Sequence, residues 1–148
     1  MEKTIERYEN RLFRTAVAIV GCKAEAEDVV QDVFVKLFEQ PPSFESPEHE
    51  AAWLVRVTVN LCKSRLRSHW WRRLTLLDSY PAQTDEEQSI VKTIITLPSK
   101  YRTVLHLFYY EGYSTKEIAG ITRQNESTVR NQLTRARRML KDILEEEM

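Results

Sequence analysis

Apolar residues recur every three to four positions along most of this chain, and short polar or proline-bearing breaks interrupt them. That period belongs to helices with one buried face, not to the alternation of strands. It predicts an opening helix over Thr4 to Val20, which Gly21 is placed to end. A second helix runs from Ala24 to Gln40, turning Ala26, Val29, Val30, Val33, Leu37 and Phe38 inward. Pro41, Pro42 and Pro47 mark a stiff irregular loop, and a third helix follows from His49 to Arg67 with Val55, Val59, Cys62 and Leu66 on its inner side. From Leu74 to Glu87 the period fades into a proline and a run of acids, which reads as a linker. Beyond it, Gln88 to Thr96 is a short amphipathic helix, and Pro98 opens another that reaches Tyr110 and stops at Glu111-Gly112. Ser114-Thr115-Lys116-Glu117 has the pattern of a capping box. Asn125 suits the N-cap of a last helix that buries Val129, Leu133, Ala136, Leu140 and Ile143. The expected fold is all-α: two small helical bundles, 1–73 and 88–148, joined by a flexible linker, 74–87, the C-terminal bundle containing a helix-turn-helix.

Composition narrows the class. Charged residues are 30 % of the 148, hydrophobic ones 42 %, and there are three glycines, which suits a soluble helical chain and not a turn-rich β fold. No apolar run approaches the roughly 18–20 residues of a membrane span, and the polar opening MEKTIERYEN is unlike a secretory signal. No membrane insertion and a cytoplasmic location are expected. Cys22 and Cys62 lack a CxxC partner, and His49, His69 and His106 are scattered, so no metal, cofactor or small-molecule substrate is expected.

Net charge is zero, yet the charges are segregated. Residues 1–50 carry eleven acids against six bases, 51–77 carry six bases and no acid, and 127–141 carry five bases and no acid. Two basic stretches between acidic ones point to two contacts with nucleic acid and a separate acidic surface for another partner.

The last basic stretch lies on the second helix of the expected helix-turn-helix, the element that enters the major groove. Its buried stripe leaves Ser127, Arg130, Asn131 and Thr134 facing out, with Glu126 and Thr128 at its N-terminal end. Arginine pairs with guanine, asparagine with adenine and glutamate with cytosine. Arg135, Arg137 and Arg138 lie further along and suit phosphates.

In the middle stretch, Arg56, Asn60, Lys63 and Arg67 fall at i, i+4, i+7 and i+11, one face of one helix, with Ser64 beside them. His69, Trp70 and Trp71 follow, then Arg72 and Arg73. Charge that tracks a backbone, with flat rings on which bases stack, is what single-stranded or unstacked DNA requires; each stack is worth about 1–3 kcal/mol. On the second helix, Asp28, Gln31, Asp32, Val35 and Glu39 form the outward stripe, and an aliphatic residue among acids and amides marks a partner surface. Asp28 and Asp32 are one turn apart, but no third carboxylate converges on them as a nuclease metal site requires.

Three segments in order resemble the extracytoplasmic-function (ECF) group of the sigma-70 family, the small bacterial RNA polymerase sigma factors. AEAEDVVQDVFVKLFE (Ala24–Glu39) is similar to the family's core-polymerase-binding helix, HEAAWLVRVTVNLCKSRLRS (His49–Ser68) to its promoter-melting helix, and Leu97–Leu140 to its promoter-reading domain. The resemblance implies that Asp28, Gln31, Asp32, Phe34, Val35 and Leu37 grip the coiled-coil of the polymerase clamp. It implies that Arg56, Asn60, Lys63, Ser64 and Arg67 hold the melted −10 region, that the loop Pro42–Glu50 receives a flipped base, and that Ser127, Thr128, Arg130, Asn131, Thr134, Arg135 and Arg138 read the −35 element. It also implies that Asp78, Asp85, Glu86 and Glu87 thread into the polymerase cleft, and that an anti-sigma factor is a further partner. Two positions depart from the family pattern: Ser64 replaces an aspartate, and Arg123 replaces a glycine at the helix-turn-helix turn.

The expected function is that of a transcription initiation factor that binds core RNA polymerase and promoter DNA and has no catalytic chemistry of its own. The rival is a stand-alone helix-turn-helix regulator, which has no need of the Asp28–Val35 stripe or the Asn60 face.

Overall fold

The computed structural model describes residues 2–68, 94 and 96–146. The linker 74–87 with its acids, nearly all of the helix expected over Gln88–Thr96, and the His69–Arg73 group lie outside the described residues. The elements are α1 (Glu2–Val20), α2 (Lys23–Glu39), α3 (Pro47–Ser68), α4 (Ser99–Leu105), a π-helical turn (His106–Tyr110), α5 (Thr115–Thr122) and α6 (Glu126–Glu146). No strand occurs among the described residues.

Local chemistry sets the boundaries. Gly21 has φ +72°, which lets its N–H donate back to the Val17 carbonyl at 2.8 Å and turns the chain from α1 into α2. Ser46 caps α3 by accepting from the His49 N–H at 3.1 Å, with Pro47 in the first turn where its missing N–H costs nothing, so α3 starts two residues before the expected His49. The capping box at Ser114 is complete: Ser114 Oγ accepts from the Glu117 N–H at 3.1 Å, and Glu117 Oε1 accepts from the Ser114 N–H at 2.9 Å. One element differs from the expectation of a continuous helix to Tyr110. After Leu105 the chain widens into a π-turn, closed by a hydrogen bond from the Glu111 N–H to the His106 carbonyl five residues back.

The first three helices pack around Leu12, Val17, Val29, Val33, Leu54, Val55, Val59 and Cys62, all fully or almost fully buried. In the C-terminal unit, Val104, Leu107, Ile118, Val129, Leu133 and Ala136 hold α4, α5 and α6 together. Leu140 and Ile143 are only half-buried, because the end of α6 runs past the elements it packs on.

The two units also pack on each other. α1 lies against α4 and the π-turn, α3 lies against α5, and the buried side chains of both units form one contiguous core. Arg102 on α4 is buried, and its guanidinium donates to the Ala18 carbonyl at 2.8 Å, the Ile19 carbonyl at 2.6 Å and the Leu97 carbonyl at 2.6 Å. Ala18 and Ile19 belong to the last turn of α1, whose carbonyls have no intrahelical donor, so a residue more than eighty positions away caps that helix.

Candidate nucleic-acid interface

On α2, Asp28, Gln31, Asp32, Val35 and Glu39 are exposed, and Val35 keeps half of its surface in solvent. Phe34 and Leu37 do not belong to this stripe. They are 7 % and 5 % exposed and pack in the core beneath it. The helical period accounts for their burial: Phe34 follows Val30 and Val33 on the inward face, and its ring stacks on Phe38 at 6.2 Å between centroids.

Arg65, which sequence reasoning grouped only with the basic residues, organises the acids. It reaches from α3 to α2, donating to Glu25 at 2.8 Å and Asp32 at 3.0 Å, with Asp28 at 3.7 Å. Glu25 is almost fully buried, so the guanidinium is anchored inside while Asp28 and Asp32 remain at the surface. The repeat of Arg56, Asn60, Lys63 and Arg67 gave no hint of this, because Arg65 points to another side of α3.

Along α3, Arg56, Ser64 and Arg67 are exposed, whereas Asn60 and Lys63 are half-buried. The cover over Lys63 is α5: its Nζ donates to the Thr122 carbonyl at 3.1 Å, at the last residue of the first helix of the helix-turn-helix. Burial, and the positive charges of Arg67 and Arg123, hold the Lys63 ammonium below its ordinary pKa. Before α3, Phe44 fills the loop, edge-on to His49 at 5.5 Å and to Trp53 at 5.8 Å.

The outer face of α6 is open. Ser127, Arg130, Asn131, Thr134, Arg135 and Arg138 are exposed, and Thr128 is half-buried. One oxygen of Glu126 accepts from Thr115 Oγ1 at 2.7 Å and from Arg130 Nη1 at 3.3 Å, which ties the start of α6 to the start of α5. Gln124 and Gln132 exchange amide hydrogen bonds at 2.8 and 3.2 Å and brace the turn between the helices. At that turn Arg123 is left-handed, with φ 58° and ψ 46°.

A second polar group joins α1 to the C-terminal unit. Arg11 donates to Glu111 and, at 3.0 Å, to the Tyr113 hydroxyl, while Thr15 Oγ1 lies 3.0 Å from His106 Nε2. Thr15 has a single hydroxyl proton and its carbonyl partner Arg11 lies at 2.9 Å, so the arrangement is satisfied when His106 Nε2 carries the proton shared with Thr15. Glu111, its side chain 3 % exposed, would be pushed up by burial. The hydrogen bond from His106 and the Arg11 charge outweigh that and hold its pKa below the usual 4.5. No cluster of three or more metal-ligating side chains exists among the described residues.

These three faces, an acidic stripe on α2, a basic stripe on α3 and an open polar face on α6, occur in the order that the sigma-70 regions follow. Sigma-70 region 2 matches residues 4–72, and sigma-70 region 4 matches residues 87–140. The chain belongs to the sigma-70 family. Within that family it is an ECF sigma factor by its relatives. It is 30 % identical to the ECF RNA polymerase sigma factor SigL of Mycobacterium tuberculosis, over 91 % of this chain and 83 % of that one. It is 26 % identical to the ECF RNA polymerase sigma factor SigE of Mycolicibacterium smegmatis, over 97 % of this chain. The chain spans 61 % of SigE and 38 % of another relative, so both of these are considerably longer. In fold it is similar to the sigma factor RpoE of Bartonella quintana, solved with the anti-sigma factor NepR, with a TM-score of 0.80 and 24 % identity over 97 % of this chain and 96 % of that one.

Proposed function

We propose that this chain is a transcription initiation factor that docks on core RNA polymerase through the outer stripe of α2, holds the melted −10 strand on α3 and reads the −35 element with α6. The observation that carries this reading is the α2 stripe. A helix-turn-helix needs no second unit presenting Asp28, Gln31 and Asp32 around a half-exposed valine. The clamp coiled-coil is the partner the family supplies for that stripe. Arg56, Asn60, Lys63, Ser64 and Arg67 follow on the next helix, and α6 offers Ser127, Thr128, Arg130, Asn131, Thr134, Arg135 and Arg138. The factor lowers the cost of opening by trapping unstacked bases, and bond formation belongs to the polymerase.

Residues 1–73 act as the polymerase and −10 unit, 74–87 as the linker and 88–148 as the −35 unit. The work takes place in the cytoplasm, where core polymerase meets the genome; no helix among the described residues is long and apolar enough to cross a membrane. The sigma factors of similar fold were solved bound to NepR and to the cytosolic domain of CnrY, which supports an anti-sigma factor as a further partner here.

Size-exclusion co-elution with bacterial core polymerase tests the reading. A stoichiometric complex that Val35→Asp abolishes, with helicity unchanged, is the expected result. A folded chain that binds a duplex site but never co-elutes with polymerase would make the stand-alone regulator the better account.

A further inference from the structure

Three cations meet at the end of α5 beside α3, and no acid answers them. Lys63 and Arg67 stand one helical turn apart on α3, and Arg123 follows Thr122, the last residue of α5. Arg67 and Arg123 are exposed, whereas Lys63 is half-buried. Among the described residues none of the three enters an ion pair. Arg123 is also one of the two positions at which this chain departs from the family pattern.

Lys63 differs from the two arginines in having a proton it can lose. Its Nζ is fixed on the Thr122 carbonyl at 3.1 Å. Burial, and then the Arg67 and Arg123 charges, lower its pKa from the ordinary 10.5. A neutral amine keeps two N–H bonds, so one can stay on Thr122 while the lone pair is free. A lysine desolvated beside another cation is a nucleophile at a pH where an exposed lysine is protonated. The guanidiniums that favour the neutral amine are also forked donors, matched to the oxygens of a phosphate. A nucleophile and a phosphate-binding pair thus lie side by side.

We infer that Lys63 is an acylation site, at which the amine takes an acyl group from a small acyl phosphate whose phosphoryl end is held by Arg67 and Arg123. Lys63 first gives its third proton to solvent. Its lone pair then attacks the acyl carbon, a C–N bond forms, and the C–O bond to the phosphoryl group breaks. Inorganic phosphate leaves with that electron pair, and the surplus proton on nitrogen passes to water. The product is an uncharged amide whose remaining N–H can still donate to Thr122, so one positive charge is lost and the hydrogen bond is kept. Where α3 holds a DNA strand, as proposed above, that loss removes one phosphate contact and lowers the salt dependence of single-strand binding by about 0.7. The acylation itself does not depend on that reading.

The test incubates the full chain with acetyl phosphate near neutral pH, without DNA or polymerase, and follows acetylation of each lysine by mass spectrometry. Lys3, Lys36, Lys100 and Lys116, all exposed, are the internal controls. A neutral acetylating ester, which has no phosphoryl group, is run in parallel. Acetyl phosphate is expected to modify Lys63 at least about threefold faster than the fastest control. Arg67→Gln or Arg123→Gly should slow Lys63 by about threefold and leave the controls unchanged. The fall should be larger with acetyl phosphate than with the ester, because the ester reads the amine alone. Circular dichroism and the control rates show that a slowed Lys63 reflects lost charge and not a lost fold. Modification of Lys63 no faster than that of the controls overturns the proposal. A fast Lys63 that neither substitution slows overturns it too, since the guanidiniums then do nothing there. An equal fall with both reagents means that no phosphate is held, and the site as assigned is overturned.

Discussion

Arg65 on α3 holds the Asp32 carboxylate of α2 at 3.0 Å while its other terminal nitrogen is anchored on the nearly buried Glu25. The acidic face proposed for polymerase is thereby fixed from the helix proposed for DNA. A guanidinium can serve several carboxylates because its donors are spread over a rigid plane, whereas an ammonium is a point charge.

Arg65→Ala is accordingly expected to lower stability by about 1–3 kcal/mol, the worth of a hydrogen bond to a charged group. Arg65→Lys should recover less than half of that loss. Urea denaturation of the three proteins at neutral pH decides it; full recovery by lysine would mean that charge alone matters there. The same geometry warns against Asp32→Arg as a probe of polymerase binding, since two guanidiniums would then face each other.

Arg102 makes a second expectation. Replacing it with alanine leaves the buried carbonyls of Ala18 and Leu97 without this donor, and that of Ile19 with only the Ser99 hydroxyl. Each orphaned buried acceptor costs about 1–3 kcal/mol, less whatever water can supply. A loss of about 3 kcal/mol or more in chemical denaturation is expected, and a loss under 1 kcal/mol would show that the end of α1 needs no cap from the other unit.

Glu111 gives a pH dependence with a definite sign. Its folded pKa lies below the ordinary 4.5, so the unfolded chain takes up a proton first as pH falls. The stabilisation it provides is complete above pH 4.5 and is lost as pH drops through the lower folded value. Denaturation midpoints of the parent and of Glu111→Gln should therefore differ most near neutrality and converge in acid. A constant gap between the two curves down to the acid limit would mean that the carboxylate charge contributes nothing.

The helices were legible because their signal is local. Val29, Val33 and Leu37 repeat at the spacing of one face, and Ser114 with Glu117 spells a cap within four residues. The acidic, basic and polar faces followed from the same period, and Leu37 is buried as that period placed it. The ties between units were not legible. Arg11 meets Glu111 across a hundred residues, and Arg102 meets Ile19 across eighty-three, with no periodicity to announce either pair. A buried arginine whose donors go to backbone carbonyls leaves no complementary acid in the sequence to search for. His106 gave no signal either, because its partner is the hydroxyl of Thr15 on another helix.

On α6, Arg130→Ala is expected to cost about 1–3 kcal/mol at a single upstream base pair, and nothing at the others. Glu126 shares this geometry, because its oxygen holds Arg130 at 3.3 Å and Thr115 at 2.7 Å. Competition binding over a duplex set with one position varied at a time reads the effect. A uniform loss across all duplexes would make Arg130 a phosphate contact.

Arg123 occupies the left-handed region at the turn into α6, where an ordinary side chain costs about 1–2 kcal/mol. Glycine escapes that cost but loses more conformational freedom on folding, by about 0.5–1 kcal/mol. Arg123→Gly is therefore expected to stabilise the chain by about 0.5 kcal/mol through the backbone alone. A second contribution comes from charge, since Arg123 disfavours the ammonium of Lys63 where α3 meets α5. Arg123→Asn separates the two, because asparagine removes the charge and tolerates the left-handed region only moderately better than arginine. Equal gains from glycine and asparagine in urea denaturation would assign the cost of Arg123 to its charge. A gain confined to glycine would assign it to the backbone. A loss in both would mean that the Arg123 side chain stabilises the turn by more than its strained conformation costs.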